Sequence, residues 1–451
     1  MEKENISSSS VKEKIPIDME ATKRKASKKK QKLTEKEKLV NKIQKLLSKI
    51  DGEERRVRNL LNQKEKMEMN ELSNLSIDVD GKDYYPNILD PNFNIRLLKK
   101  KEFYEHRYDE EDKDLEAEAK RLCEQDFELS PHQAFIRNFL SHLTPYNGML
   151  LYHGLGTGKT CSAISVCENM RDYMRQMNYT KPIIIVASPN VQKNFETQLF
   201  DKSRLRYENG RFTMNGCVGS KLIREAFPME IKYFQMNMET ALRNQERDGV
   251  NIDEAIQRIK DKIHHEVKAI IKKYYIFMGY TMFSNYVDDI YQKYKVIEDS
   301  KRRNSEIERS IRDEFSNRLI VVDEVHNLRV QSDSSQSSKR GKSVTLNLAL
   351  VAKHGINTKL LFASATPMFD SHTEIVYLMN LLNINDGRPI IKKREIFDDD
   401  GNFLQNDKGV EIGKERLMEK ARGYVSFIKG SNIYTFPYRM FPSDYDPERS
   451  I

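Results

Sequence analysis

The chain has 451 residues, of which 32% are charged and 38% hydrophobic, and a net charge of +8. That length allows two or three domains, no apolar stretch approaches the roughly 18 residues of a membrane-spanning helix, and the N-terminus lacks the apolar core of a signal peptide. The four cysteines (Cys123, Cys161, Cys167, Cys217) show no CxxC spacing, which argues against a structural zinc site and a secreted disulfide framework. An intracellular, soluble protein without membrane contact is expected, with Cys161 and Cys167 as small buried thiols.

Residues 23–32 hold seven basic groups and no acid, so the chain's excess positive charge belongs to a tail at residues 1–33. Such a tail is expected to be disordered. It could bind nucleic acid nonspecifically through counterion release, act as a nuclear-import signal, or simply solubilise the chain. Residues 34–75 read as one long helix. Leu39, Ile43, Leu46 and Ile50 alternate steps of four and three, Glu53 interrupts, and Val57 and Leu60 resume: a coiled-coil seam with a charged break. Residues 76–126 read as a linker and an acidic helix. Pro86, Pro91 and Asn92 mark Tyr84 to Asp114 as extended, and the acidic helix runs from Glu110 to Gln125.

From residue 127 to 384 the pattern changes to buried strands alternating with helices, which predicts an α/β fold with a mostly parallel sheet. Met149 to His153 reads as a short buried strand. It runs into Gly154-Leu155-Gly156-Thr157-Gly158-Lys159-Thr160 and then a helix to about Met170. This is a complete GxxxxGK[ST] phosphate loop in its required context. The glycines let backbone N–H groups curl round phosphates, Lys159 reaches the outer phosphates, and Thr160 is placed to hold Mg²⁺. Far downstream, the apolar run Arg318 to Val322 ends in Asp323-Glu324-Val325-His326. One carboxylate at such a strand tip can hold Mg²⁺ through water, and the next can orient or deprotonate the attacking water. A third run, Lys359 to Ala363, delivers Ser364-Ala365-Thr366-Pro367. Those hydroxyls could relay the state of the γ-phosphate, or simply cap a strand-to-helix turn. Between about residues 200 and 274 the strand pattern gives way. Ile252, Ile256, Ile259, Ile263, Val267 and Ile270 form an apolar stripe at helical spacing, so a helical insertion is expected. Asn327 to Lys342, rich in serine, reads as an irregular loop.

GLGTGKT, DEVH and SATP, in that order, resemble a superfamily 2 helicase or nucleic-acid-dependent ATPase. Ser130-Pro131-His132-Gln133-Ala134-Phe135, Leu143-Thr144-Pro145-Tyr146 and LLYHGLGTGKTCSAI narrow the likeness, with support from Tyr275 to Tyr280 and Thr435 to Arg439. The chain resembles the helicase-like ATPases of large nucleocytoplasmic DNA viruses, a group that includes the poxvirus early transcription factor small subunit and nucleoside triphosphatase I. The likeness runs from about Tyr84 to Pro442. It implies an ATP–Mg²⁺ site in which Gln133 contacts adenine, Lys159 the phosphates, and Thr160 and Asp323 the metal. Glu324 would be the catalytic carboxylate, Ser364 and Thr366 would couple hydrolysis to motion, and Ser188-Pro189-Asn190 would touch nucleic-acid backbone.

Motors of this kind have two RecA-like lobes, the second supplying an arginine for the transition state. The stretch after Pro367 is too short for another lobe of about 150 residues. Residues 385–451 are therefore expected to be an extension toward where the second lobe should sit, and the chain to be the front half of a motor: a natural short form, a split gene with a partner, or a fragment. The expected function is an ATP hydrolase of DExH type acting on DNA or RNA in viral transcription, in the virion or host cytoplasm, with a protein partner. That partner would be a chain carrying the second lobe, a viral RNA polymerase or a transcription factor subunit. The alternative is a nucleotide-binding or scaffolding subunit without turnover.

Overall fold

The computed structural model describes residues 84–107, 120, 128–208, 211–226, 252–328, 336–368 and 370–428, with backbone alone at 252–255 and 336–343. The basic tail, the coiled-coil stretch and, apart from Lys120, the acidic helix lie outside the described residues. In chain order the elements begin with α1 (Phe93–Leu98), α2 (Lys101–Tyr104), α3 (Pro131–Phe139), β1 (Gly148–His153), α4 (Lys159–Gln176), β2 (Ile183–Val186) and α5 (Pro189–Leu199). An insertion follows: β3 (Leu205–Glu208), β4 (Arg211–Met214), α6 (Lys221–Ala226) and α7 (Ile252–Tyr274). Then come β5 (Tyr275–Met278), α8 (Tyr280–Tyr294), α9 (Ser300–Phe315), β6 (Leu319–Asp323), α10 (Gln336–His354), β7 (Lys359–Ser364), α11 (Ile375–Asn385), α12 (Ile412–Ala421) and β8 (Val425–Ile428).

Six strands form one sheet in the order β5-β2-β6-β7-β1-β8, and every pairing in it is parallel. The central strands are buried along their whole length, which is why they read as continuous apolar runs. Side chains alternate across the sheet. Met149, Leu151, Ile183, Ile185, Leu319, Val321, Leu361 and Ala363 join one core with the α3, α4 and insertion side chains. Leu150, Ile184, Val186, Ile320, Val322, Leu360 and Phe362 join a second core with α8, α9, α10 and α11. The result is a three-layer lobe. In-register pairing of β6 with β7 and of β7 with β1 brings Asp323 beside Ala363 and Tyr152 beside Ser364. The ends of all three strands therefore lie along one edge, where ligands of open α/β sheets bind.

Four expectations change. The stretch read as an extended linker is folded at its start: Phe93 and Phe103 sit on short helices and are buried in the first core, packed against Phe139. The insertion is not wholly helical, since β3 and β4 form an antiparallel pair with Leu205 opposite Met214. The serine-rich stretch is helical from Gln336 onward. Finally, the extension expected over 385–451 is, through residue 428, built into this lobe: β8 pairs with β1, Leu150 opposite Val425 and His153 opposite Ile428. Its alternation of exposed and half-buried residues gives the weak apolar signal of an edge strand.

The insertion is tied to α4 by a buried ion network. Arg171, with no exposed side-chain surface, donates to Glu168 at 2.8 and 2.7 Å and to Glu225 on α6 at 2.8 and 2.7 Å. The Tyr275 hydroxyl donates to Glu168 at 2.6 Å, and Lys221 lies 3.1 Å from the same carboxylate. Burial raises the Glu168 pKa, but Arg171, Lys221 and Tyr275 outweigh it and hold the group below its ordinary value. Breaking one partner of such a cluster strands a buried charge and costs about 3–5 kcal/mol. Arg171→Ala is therefore expected to lower the urea midpoint by that equivalent at neutral pH. An unchanged midpoint in equilibrium unfolding would show that the network is not what holds α6 to α4.

Candidate nucleotide site

The phosphate loop links β1 to α4. Gly156 and Gly158 have φ of 77° and 79°, a left-handed region in which a Cβ is strained. At Gly158 a Cβ would also lie 2.4 Å from the Gln133 amide nitrogen. The Thr157 hydroxyl closes the loop by donating to the Gly154 carbonyl at 2.8 Å. The Lys159 ammonium donates to the carbonyls of His153 at 3.0 Å and Gly154 at 3.2 Å. Leu155 projects outward, 74% exposed, and Thr160 follows Lys159 in the first turn of α4.

Asp323 ends β6, and its Oδ1 accepts the Glu324 N–H at 2.9 Å. Burial pushes its pKa up to about 6 despite that bond and despite Lys159. Glu324 has φ 49°, whereas Asn178, Asn317 and Asn357 are the other non-glycine residues with positive φ among those described. Asn tolerates this region, but a long side chain there stores about 1–3 kcal/mol. The strain turns the Glu324 side chain off the strand direction and toward the tip of β7. There the Ser364 hydroxyl donates to Glu324 Oε2 at 3.3 Å. Ser364 Oγ lies 3.0 Å from His326 Nδ1 and accepts the Thr366 N–H at 3.1 Å. Lys159 is electrostatically coupled to both Glu324 and Asp323, yet burial dominates and lowers its pKa. Phosphate loop, DEVH and SATP thus meet at one place.

The remaining candidates fall on the same edge or against the loop. Ser188 precedes α5 with Pro189 at its first position, and Pro189 and Asn190 are exposed at the tip of β2. Gln133 is buried, its carbonyl oxygen accepting the Ser130 N–H at 3.0 Å and its amide donating to the Gly158 carbonyl at 3.3 Å. In this arrangement it braces the phosphate loop from behind.

Several neighbours have no role that the motifs predict. His132 is 3.0 Å from the Thr157 carbonyl. His153, fully buried and held near pKa 4 by desolvation and then by His132 and Lys159, reaches Ser426 on β8 at 2.9 Å. The Gly154 N–H donates to the Ile428 carbonyl at 3.0 Å. Cys161, one residue past Thr160, is disulfide-bonded to Cys217. That corrects the expectation of a free thiol there, whereas Cys167 is free and buried as expected. A spacing of 56 residues offers no local pattern from which the pair could be read.

Among the described residues no cluster of three His, Cys, Asp or Glu exists that could hold a metal unaided. The oxygen donors of Thr160 and Asp323 suit Mg²⁺, which takes only one or two protein ligands and completes its shell with waters and phosphates. Nor is any described helix long and apolar enough to cross a membrane.

The chain is similar to several viral proteins. A candidate ATP-dependent RNA helicase of Acanthamoeba polyphaga mimivirus is 25% identical over 388 residues, covering 80% of this chain and 28% of that protein. A candidate helicase of invertebrate iridescent virus 3 is 24% identical over 262 residues, covering 56% and 20%. An early transcription factor large subunit homolog of African swine fever virus is 23% identical over 344 residues, covering 68% and 28%. The chain spans between 20% and 49% of the length of the curated relatives named here and a second mimivirus helicase candidate. The SNF2-related domain matches residues 132–411, more than half of the chain and all of the site just described except its β8 flank, and the protein belongs to that family.

Proposed function

We propose that the chain is the ATP-binding lobe of a nucleic-acid-dependent ATPase of DExH type, which needs a second lobe or a partner chain for full turnover. The observation that carries this reading is the convergence of Lys159, Asp323, Glu324 and Ser364 from three adjacent strand ends. The loop amides and Lys159 bind the phosphates. Thr160 and Asp323 hold Mg²⁺, which supplies charge neutralisation to the transferring phosphoryl group. Glu324, steadied by Ser364 and close to His326, accepts the proton of the attacking water. Ser364 and Thr366 share one hydrogen bond, so a change at Glu324 is passed to the SATP turn. Ser188, Pro189 and Asn190 are the residues we assign to nucleic-acid backbone. Gln133 reaches adenine only if its amide leaves the Gly158 carbonyl. The viral relatives and their names support a place in viral transcription beside nucleic acid and a protein partner; that the nucleic acid is DNA or RNA, the partner a polymerase or transcription factor subunit, and the place of action the virion or host cytoplasm is part of the proposal.

Phosphate release and calorimetry on the purified chain, with and without single- and double-stranded DNA and RNA, test this reading. Lys159→Ala is expected to weaken ATP binding by about 100-fold or more. Glu324→Gln should leave binding intact and cut turnover by about 10²–10⁴-fold, the usual worth of a general base. Binding without turnover in the parent chain would mean half a motor awaiting its second lobe or a scaffolding subunit, which addition of a chain carrying the second lobe would separate. Parent-level binding by Lys159→Ala would refute the site altogether.

Asp323 also gives a pH-dependent expectation in the absence of nucleotide. Its folded pKa of about 6 lies above the ordinary 3.8, so the folded state holds the proton more tightly than the unfolded one. Stability therefore falls as pH rises from about 4 to 6, and the full cost of the buried charge is present at pH 7. Asp323→Asn is expected to be more stable than the parent at pH 7 by about 1–3 kcal/mol, a gap that closes by pH 4. Melting curves that run parallel across this range would contradict it.

A further inference from the structure

We propose that Tyr280 is a positioning residue for the DEVH turn: its hydroxyl, together with Asn327, fixes the Asp323–Glu324 backbone so that Asp323 is presented to nucleotide-bound Mg²⁺. The inference rests on the nucleotide reading above. Tyr280 opens α8 directly after β5, and β5 lies at the sheet edge with β2 between it and β6. Despite that separation the Tyr280 hydroxyl donates to the Asp323 carbonyl at 2.7 Å and lies 3.4 Å from the Glu324 carbonyl. The Asn327 amide completes the bracket, donating to the Tyr280 oxygen at 3.2 Å and to the Glu324 carbonyl at 3.1 Å.

These bonds fall where the sheet can no longer supply them. The β6–β7 register ends with Asp323 opposite Ala363, and the next residue turns left-handed at φ 49°. A carbonyl leaving a ladder must find another donor or be satisfied by water. Here Tyr280 and Asn327 serve both carbonyls of the turn. Burial raises the Tyr280 pKa to about 12, so the hydroxyl remains a donor throughout the working range. The ring packs against the second core, and Phe would keep that contact while deleting only the hydroxyl. Backbone held in an unfavourable region persists only where its surroundings over-determine it. In this turn the hydroxyl and the Asn327 amide provide that constraint from the backbone side, and Ser364 provides it from the side-chain side.

The test compares ATP affinity by calorimetry in Mg²⁺ and in EDTA for the parent, Lys159→Ala, Tyr280→Phe and Asn327→Ala, alongside melting temperatures. Tyr280→Phe is expected to lose about five-fold or more of the affinity gained from Mg²⁺. Its metal-free affinity should stay within about two-fold of the parent and its melting temperature within a few degrees. Asn327→Ala should shift the Mg²⁺ gain the same way, and the double variant should add little to either, since both act on one turn. A parent-like Mg²⁺ gain in Tyr280→Phe overturns the inference. So does an equal loss with and without metal accompanied by a large drop in melting temperature, which would mark the hydroxyl as merely structural. A parent chain that binds ATP no better than Lys159→Ala overturns the nucleotide reading, and this inference falls with it.

Discussion

Burial outweighs attraction between the charged groups at the sheet's edge. Lys159 lies near Asp323 and Glu324, whose charges favour its ammonium, and Lys159 in turn favours the Asp323 carboxylate. Yet Lys159 is pushed down and Asp323 is pushed up, because each loses more hydration than its neighbours return. A folded chain that only needed stability would not gather such groups at the end of an apolar sheet. On the proposed function, a polyanion would bring opposite charge to Lys159 and the loop amides, and a dication would bring it to Asp323. The same burial that costs stability would then strengthen the interactions of both with a nucleotide–metal ligand.

The three motifs were legible in the sequence for a simple reason. Each is a buried parallel strand, hence an uninterrupted apolar run, followed at once by residues whose chemistry is unusual for a turn. That combination is local, so reading along the chain suffices. What supports the motifs is not local. Ser426 meets His153 across 273 residues, and Tyr280 meets Asp323 across 43. Cys217 pairs with Cys161 although neither has a telling neighbour. β8 alternates weakly because one of its edges pairs with nothing among the described residues. Phe93 and Phe103 sit among prolines and charges that argue for a linker, and they are buried because Phe139 and Tyr146 pack on the first and Phe135 and Phe139 on the second. Tertiary context overrides local composition at each of these positions.

The supports are distributed unevenly around the phosphate loop. Behind it, α3 grips the carbonyls of Thr157 and Gly158 through His132 and Gln133. Along its helix, the Cys161–Cys217 bond and the Arg171 cluster fasten α4 to the insertion at two separate turns. These constraints are covalent, charged or buried, and they make α4 and the insertion one body. In a lobe of this kind the insertion cannot drift without pulling on the helix that carries Lys159 and Thr160.

The other flank is softer. Gly154, the first residue of the loop, hangs from Ile428 by one backbone hydrogen bond, and His153 just before it is held by Ser426. Both partners belong to β8, whose Phe427 is 58% exposed and whose only sheet neighbour among the described residues is β1. Edge strands with little buried apolar surface are among the first elements to open. A ligand that shifted Gly154 would either stretch the Ile428 bond or carry β8 with it. The chain thus places a stiff frame behind its phosphate loop and a yielding strand beside it. The direction in which binding can move the backbone follows from that asymmetry.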